Sequence, residues 1–381
     1  MAIDLNFNDE QQLIENTARE FFAKRSPPEL ARKYENSEEE FPRDLWREMA
    51  DLGWLGMNFP AEYDGLDCTF LDVFGIYVEM GRTLAPVPLL DAVALGGALV
   101  ARLGTDAQKR ALLPRIAAGD ALVTLAFMEA DGLYGAEGVT LPAKKAGDGY
   151  SLSGVKLLVP YVKSAERLVV AARTGGTSGE AGVSLFLVDP NGAGVSAERT
   201  KNMGGYPLYA VTFDGAPGEL LGPADEAWEA LNDVMLQAAV LQSAMVVGAG
   251  ERVLDISTGY AKERVQFGQP IGKHQAVQYL CTDIAIEGQL TRLLALQAAW
   301  KIDAGRPFQR EASLAKAQAS KAAAAMTFAA HEVHAGIGFM IDYDLQLYTL
   351  RGKHWEYNLG DQRHHLELVA RQTEEVVPAW A

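Results

Sequence analysis

The stretch YAKERVQFGQPIGKHQ, Tyr260 to Gln275, joins one long Ala- and Leu-rich segment to the next. A helical pattern ends at Arg264, Phe267-Gly268 reads as a turn, and Gln275 falls on the first turn of the following helix. Arg264, Phe267, Gly268, Ile271 and Gln275 combine turn chemistry with side chains for which the pattern offers no packing task. A purely structural helix-turn-helix corner would not need both the arginine and the glutamine.

Outward from this corner, apolar periodicity predicts helices at about 226–264, 273–303 and 310–333, long enough for a four-helix bundle. Upstream, TLAFMEA, GVTLPAKKA, YSLSGVKLLV, RLVVAAR, GVSLFLVD and YAVTFDG are short alternating or β-rich runs. Turn signals stand among them at Gly147-Asp148-Gly149 and Pro190-Asn191-Gly192, so an antiparallel sheet or barrel ending near Gly222 is expected. Before residue 120 the pattern is helical again. Asn8 with Gln11 marks a helix start, and Leu13, Ile14, Thr17, Phe21 and Phe22 form its stripe. Further helices are expected from Pro42 to Leu52, Phe70 to Gly81, Leu89 to Leu103 and within Gly104 to Gly119. The fold class is mainly α with a central β domain, divided as 1–120, 121–222 and 223–381.

The chain of 381 residues exceeds the usual single-domain size. An apolar fraction of 49% with 22% charged residues is ordinary for a soluble globular protein, and no apolar run of membrane-spanning length is evident. The first residues, MAIDLNFNDEQQ, lack the basic and apolar regions of a signal peptide, so a cytoplasmic location is expected. Cys68 and Cys281 are read as reduced thiols. A formal charge of −16 without a basic patch argues against nucleic acid, although a few focused cations suffice for an anionic coenzyme.

In outline, Arg264 to Gln275 resembles the signature of acyl-CoA dehydrogenases. There the arginine, phenylalanine and glutamine reach across a subunit interface to another subunit's flavin adenine dinucleotide (FAD). The resemblance runs along nearly the whole chain. PAEYDGLD, with Asp64-Gly65-Leu66 in place of a double glycine, is similar to the family's proline-glutamate-glycine-glycine loop. EVHAGIGFMIDYD, Glu332 to Asp344, resembles a glycine-rich turn that carries part of the flavin. Gly336 and Gly338 remain, while Glu332 replaces a glutamine and Ala335 a glycine. The resemblance implies cofactor-binding roles for Arg264, Phe267, Gln275, Glu332, Gly336 and Gly338. His331 and His334 lack the spacing of a zinc motif, so no metal is expected, and His364-His365 is read as a solvated or interface pair.

The middle domain departs from the family. Met128-Glu129-Ala130 stands where threonine-glutamate-proline is usual, and Gly135-Ala136-Glu137 where glycine-serine-aspartate is usual. After Gly154 and Lys156, Leu158-Val159-Pro160 replaces a tryptophan, an aliphatic residue and the threonine whose hydroxyl bonds flavin N5. Proline has no such donor. The glutamate that removes the α-proton in the family is absent from both its usual positions, which hold Leu359 or Gly360 in HWEYNLGD and Ala238, beside Gln237, on the helix before the arginine. The catalytic base is therefore unassigned, with Glu356 and Asp342 as candidates and Asp344 and Glu129 as further ones.

These departures, with the GDQRHH run near the end, resemble the base-lacking subunit of bacterial α2β2 acyl-CoA dehydrogenases that act on steroid or ring substrates. That likeness implies α,β-desaturation of an acyl-CoA thioester, FAD as cofactor, a related chain as partner in a dimer or tetramer, and electron-transfer flavoprotein as acceptor. Two alternatives stand beside it: a homo-oligomer with altered chemistry, and a structural or regulatory subunit without catalysis.

Overall fold

The structure, a computed structural model, describes residues 5–35, 37–147, 149–175 and 178–374. The chain is mainly α-helical with a central β domain, as the patterning predicts. Its first part holds α1 (Asp9–Arg25), α2 (Pro28–Tyr34), α3 (Arg43–Asp51), α4 (Phe70–Thr83), α5 (Ala98–Leu103) and α6 (Asp106–Ala117). Asn8 and Gln11 cap α1 reciprocally, and Thr105 and Gln108 do the same for α6. The expected stripe on α1 is displaced: Gln11, Ala18 and Phe22 are buried, while Leu13 is exposed. Gln11 turns inward because its amide donates to Asp72 Oδ1 of α4 at 3.0 Å.

The Leu89–Leu103 segment is not one α-helix. Leu89–Gly97 is a π-helix that continues into α5. Gly96 makes room for this wide turn, since a Cβ there would lie 2.0 Å from Val123 O. The close approach seats the π-helix on the first strand.

Seven strands follow: β1 (Val123–Ala126), β2 (Ala143–Ala146), β3 (Gly149–Pro160), β4 (Arg167–Arg173), β5 (Val183–Val188), β6 (Val195–Thr200) and β7 (Leu208–Leu221). They form one sheet in the order β1-β4-β5-β7-β3-β2, with β6 paired to β7. The antiparallel expectation holds for every pair but β1 and β4, which run parallel with Val123 opposite Arg167. Of the turn expected at 147–149, Asp148 lies outside the described residues. A register shift in β3 between Lys156 and Val159 sets Leu157 and Leu158 out of the ladder.

The remainder is helical except for one hairpin: α7 (Trp228–Glu263), β8 (Val265–Gln266), β9 (Gln269–Pro270), α8 (Gln275–Asp303), α9 (Gln309–His334), α10 (Leu345–Tyr357) and α11 (Gln362–Glu374). α9 packs on α8, α10 and α11. By length and composition α7 is apolar enough to cross a membrane, which corrects the sequence expectation. Its most apolar window is 78% buried, so the helix belongs to the core.

Two compact units emerge. One gathers the residues up to Lys33, Phe70–Pro86 and everything from Ala239; the other gathers Tyr34–Thr69 and Val87–Ala238. Within the first, α1 packs on α4, Arg19 pairs with Glu79 at 2.8 Å, and Gly81 and Gly248 let α4 and α7 touch backbone to backbone. Within the second, Arg102 pairs with Asp233 at 2.7 Å, and Phe41 packs edge-on against Tyr161.

Two features of this architecture are testable. Asp91 lies buried in the π-helix, and burial pushes its carboxyl from 3.8 up to about 7, against a hydrogen bond from its own backbone. Below the unfolded value both states are protonated, and the native preference for the neutral acid is fully expressed. As pH rises through about 7 that contribution is lost, because the unfolded chain has already released the proton. Asp91→Asn should therefore gain stability over the wild type between about pH 4 and about pH 8, by on the order of 4 kcal/mol, in urea denaturation. An equal difference at both pH values would contradict it. The second feature is the α9–α10 junction. A Cβ on Gly338 would meet His331 Nδ1 at 2.8 Å and Leu345 Cδ2 at 3.3 Å, whereas one on Gly336 would meet nothing within 4 Å. Gly338→Ala should cost about 1–3 kcal/mol in the same assay and Gly336→Ala almost nothing.

Candidate functional site

The corner after α7 is a hairpin rather than a plain helix-turn-helix. The Arg264 N–H donates to Tyr260 O at 2.9 Å, and the Ile271 N–H donates to Arg264 O at 2.8 Å. Val265 pairs with Pro270 and Gln266 with Gln269. Between them Phe267 and Gly268 are both left-handed, with φ of 53° and 78°, as a two-residue reversal of this twist requires. Glycine takes this conformation freely, whereas phenylalanine takes it at a cost.

The functional groups of the corner face outward. Phe267 is 94% exposed, its ring edge-on to His274 at 6.1 Å. Among the described residues none pairs with the Arg264 guanidinium. Gln275 opens α8 and donates one amide hydrogen to Tyr279 Oη at 2.6 Å, which leaves its other hydrogen and its carbonyl oxygen available. Farther along α8, Ile286, Leu290 and Leu293 join Tyr279 as an exposed apolar stripe.

The Glu332–Asp344 turn lies at the same edge of this unit. His334 stacks on Tyr260 at 4.7 Å, one helical turn before Arg264. His331 stacks on Phe339 at 4.3 Å, with Nε2 2.8 Å from Thr349 Oγ1. Burial holds both imidazoles below their usual range. They are packing rings, and among the described residues no group of three or more His, Cys, Asp or Glu is arranged for a metal. Gly338 is buried, while Glu332 and Gly336 are exposed.

In the β domain Glu129 is saturated by donors. It accepts from Lys156 Nζ at 2.6 Å, from the backbone N–H groups of Thr140 and Leu141 at 3.0 Å each, and from the Thr140 hydroxyl. Burial alone would raise its carboxyl, but Lys156 and then Thr140 outweigh that and hold it below the usual range. Burial draws the Lys156 ammonium down to about 8, opposed by Glu129. This pair fastens strands, and every donor on the Glu129 carboxylate comes from the chain itself. Arg173 is likewise buried, donating to the carbonyls of Val139, Ala136, Gly179 and Ala181, and so fixes the loop bearing Gly135-Ala136-Glu137. Leu158 is left-handed and about half exposed, Val159 is buried, and Pro160 pairs with Leu208.

At the two positions where the resemblance leads one to expect the base, Ala238 is fully buried, and Leu359-Gly360 forms a left-handed turn after α10. Glu356 is tied to Lys353 at 2.6 Å. Asp342 is exposed, with its carbonyl oxygen accepting from Arg32 at 3.1 Å, and Asp344 pairs with the same arginine at 2.8 Å. None of these carboxylates stands alone in a cavity. His364-His365 is not a solvated pair: His365 is buried, its Nε2 lies 2.8 Å from Leu359 O, and burial lowers its pKa to about 3. The pattern in sequence alone also passed over Lys316, a fully buried cation on α9. Its signal is a lysine on the Ala312, Ala319, Ala323 stripe of that helix.

Residues 8–120 match the family model of the acyl-CoA dehydrogenase N-terminal domain, and residues 227–373 match that of the C-terminal domain. The probable acyl-CoA dehydrogenase YngJ of Bacillus subtilis is 29% identical, covering 97% of this chain and 99% of its own. A variant of the Tcur3481-Tcur3483 steroid ACAD is 31% identical, with a TM-score of 0.86 over 97% of this chain and 98% of its own. A chain of the ChsE4-ChsE5 complex from Mycobacterium tuberculosis is 26% identical, with a TM-score of 0.89 over 99% of this chain and 100% of its own. The chain thus belongs to the acyl-CoA dehydrogenase family, flavoprotein oxidoreductases that act on CH–CH groups.

Proposed function

We propose that this chain is the complementing subunit of a heteromeric acyl-CoA dehydrogenase, lending Arg264, Phe267 and Gln275 to an FAD held mainly by a related chain. One contrast supports this: the 264–275 corner keeps ligand-ready side chains, while the positions that the resemblance assigns to a hydroxyl donor and a base lack them. The 264–275 corner keeps an unpaired guanidinium, a bare aromatic ring and a half-used amide on a rigid hairpin. Such a set fits an anionic diphosphate and a flat ring system supplied from outside the chain. The β domain and the α10–α11 turn, by contrast, offer Leu158, Pro160, Ala238 and Leu359 where a hydroxyl donor and a carboxylate are needed.

Bound FAD supplies the hydride acceptor for α,β-desaturation of an acyl-CoA thioester. In this assignment Arg264 neutralises phosphate charge, Gln275 offers its remaining amide hydrogen, and Phe267 covers the cofactor against water. Glu332 faces solvent or ribose hydroxyls rather than phosphate, where two negative charges would repel. Gly338 shapes the turn beside them, and exposed Gly336 leaves space at its edge. The base comes from the partner. The Tyr279, Ile286, Leu290 and Leu293 stripe meets that partner, since an exposed apolar row beside the corner has no cover among the described residues. The ChsE4-ChsE5 relative is itself a complex of two named chains. A steroid or ring acyl group, a cytoplasmic location, an electron-transfer flavoprotein acceptor and the domain division 1–120, 121–222 and 223–381 complete the proposal.

The test is Arg264→Ala in the assembled protein. A charge-assisted contact of about 1.5–3 kcal/mol predicts flavin retention weakened roughly tenfold to a hundredfold on dilution, read by flavin absorbance. The melting temperature of the chain alone should not move, because the arginine is exposed and unpaired. Unchanged flavin retention would contradict the assignment.

A further inference from the structure

Lys316 occupies a stripe of α9 that is otherwise Ala312, Ala319, Ser320 and Ala323, and its side chain is fully buried. The ammonium donates to Ser320 Oγ at 2.6 Å, to Gly360 O at 2.8 Å and to Trp355 O at 2.9 Å, with Glu356 O at 3.5 Å. Three N–H donors meet three acceptors without a carboxylate in contact. Trp355 and Glu356 end α10, where free carbonyls form the negative pole of the helix and favour a cation.

The turn beyond α10 is an unstable shape held in place. Leu359 and Gly360 are both left-handed, with φ of 61° and 99°. A Cβ on Gly360 would meet His365 Nε2 at 2.6 Å and His364 Cδ2 at 2.8 Å, so only glycine fits. His365 closes on Leu359 O from α11 while Lys316 closes on Gly360 O from α9. Consecutive left-handed residues do not persist on local preference, and the surrounding donors over-determine them. A methionine would fill the same volume without burying a charge, so packing does not account for a lysine here.

We propose that Lys316 is a positioning residue: by tying Trp355 O to Gly360 O, it keeps the Tyr357–Gly360 turn in one shape as a working wall of the acyl site, although the turn bears no carboxylate. This rests on the reading that the turn borders the thioester.

Protonation gives the tie a measurable signature. Burial draws Lys316 from 10.5 down to about 7, opposed by Asp361 and Glu356. The other titratable groups facing it are His354 on α10, which also feels Arg351, and His365 on α11; burial lowers both histidines to about 3, so they stay neutral. A neutral amine still donates to Trp355 O and Gly360 O, while the Ser320 hydroxyl donates to it in return. An opened turn exposes Lys316 to water, where it binds a proton up to about 10.5. Closure therefore competes with protonation above about pH 7, and the closed turn gains as pH rises from there.

The experiment is hydrogen exchange of the full-length protein, following 355–365, where the Asn358, Gly360 and His365 amides are all hydrogen-bonded. After correction for intrinsic rates, wild-type protection should rise above about pH 7, by up to about tenfold per pH unit. Lys316→Met should be flat with pH and exchange at least about tenfold faster at about pH 9, with β5 as an unchanged control. Wild-type protection in Lys316→Met at about pH 9 would overturn the proposal. Should that variant not fold, a flat wild-type profile from about pH 6 to about pH 9 would overturn it as well. Neither flavin nor thioester enters the measurement, so its failure is separate from failure of the Arg264 test.

Discussion

The left-handed pair Phe267-Gly268 is the constraint on which the α7–α8 corner depends. It reverses the backbone within two residues, so that α7 and α8 are joined by the shortest hairpin and Arg264 and Gln275 flank it. A phenylalanine in this conformation costs about 1–2 kcal/mol, and a ring that is 94% exposed recovers little of that inside its own chain. The proposed partner and its flavin are where the recovery occurs. Tyr260 extends the same logic, because its stack on His334 draws the 332–339 turn to the edge that carries the hairpin.

Elsewhere the chain spends buried cations on holding loops. Lys156 ties Glu129 to β1 and β3, Arg173 gathers four carbonyls around the 136–139 loop, and Lys316 gathers the end of α10 and the turn after it. Each is a group that is expensive to bury and strongly destabilising to remove, because its acceptors would be left without donors. Loops that depart from the expected family pattern are thus still built rigidly here. A rigid scaffold without a base of its own is what the proposed complementing role requires. A chain that served only as packing would have no use for Lys316 at a position where alanine surrounds it.

Helix and strand positions were legible because they rest on periodicity: the limits of α7, α8 and α9 and the end of β7 fall within a few residues of those expected. Details set by long-range contacts were not. Periodicity puts Leu13 on the buried face of α1, whereas the amide of Gln11 finds Asp72, a partner no local pattern reveals. The π-helix depends on a glycine meeting Val123 O, and the parallel β1–β4 pair on tertiary pairing. The solvated alternative for His364-His365 fails because the partner of His365, Leu359 O, sits on a turn whose handedness the sequence does not announce. For the site, the outward corner of Arg264, Phe267 and Gln275 was visible as turn chemistry without a packing task. That Glu129 is saturated, and Glu356 and Asp344 are tied to Lys353 and Arg32, emerges only from the folded chain.

In the proposed role, this chain completes a flavin site it does not own. The most direct measurement is flavin absorbance per subunit for the chain purified alone and again after co-production with a related chain that carries the missing glutamate and threonine. The complementing role requires almost no flavin on the chain alone and recovery of flavin in the joint assembly. About one flavin per subunit on the chain alone would contradict it and assign the chain a self-sufficient site.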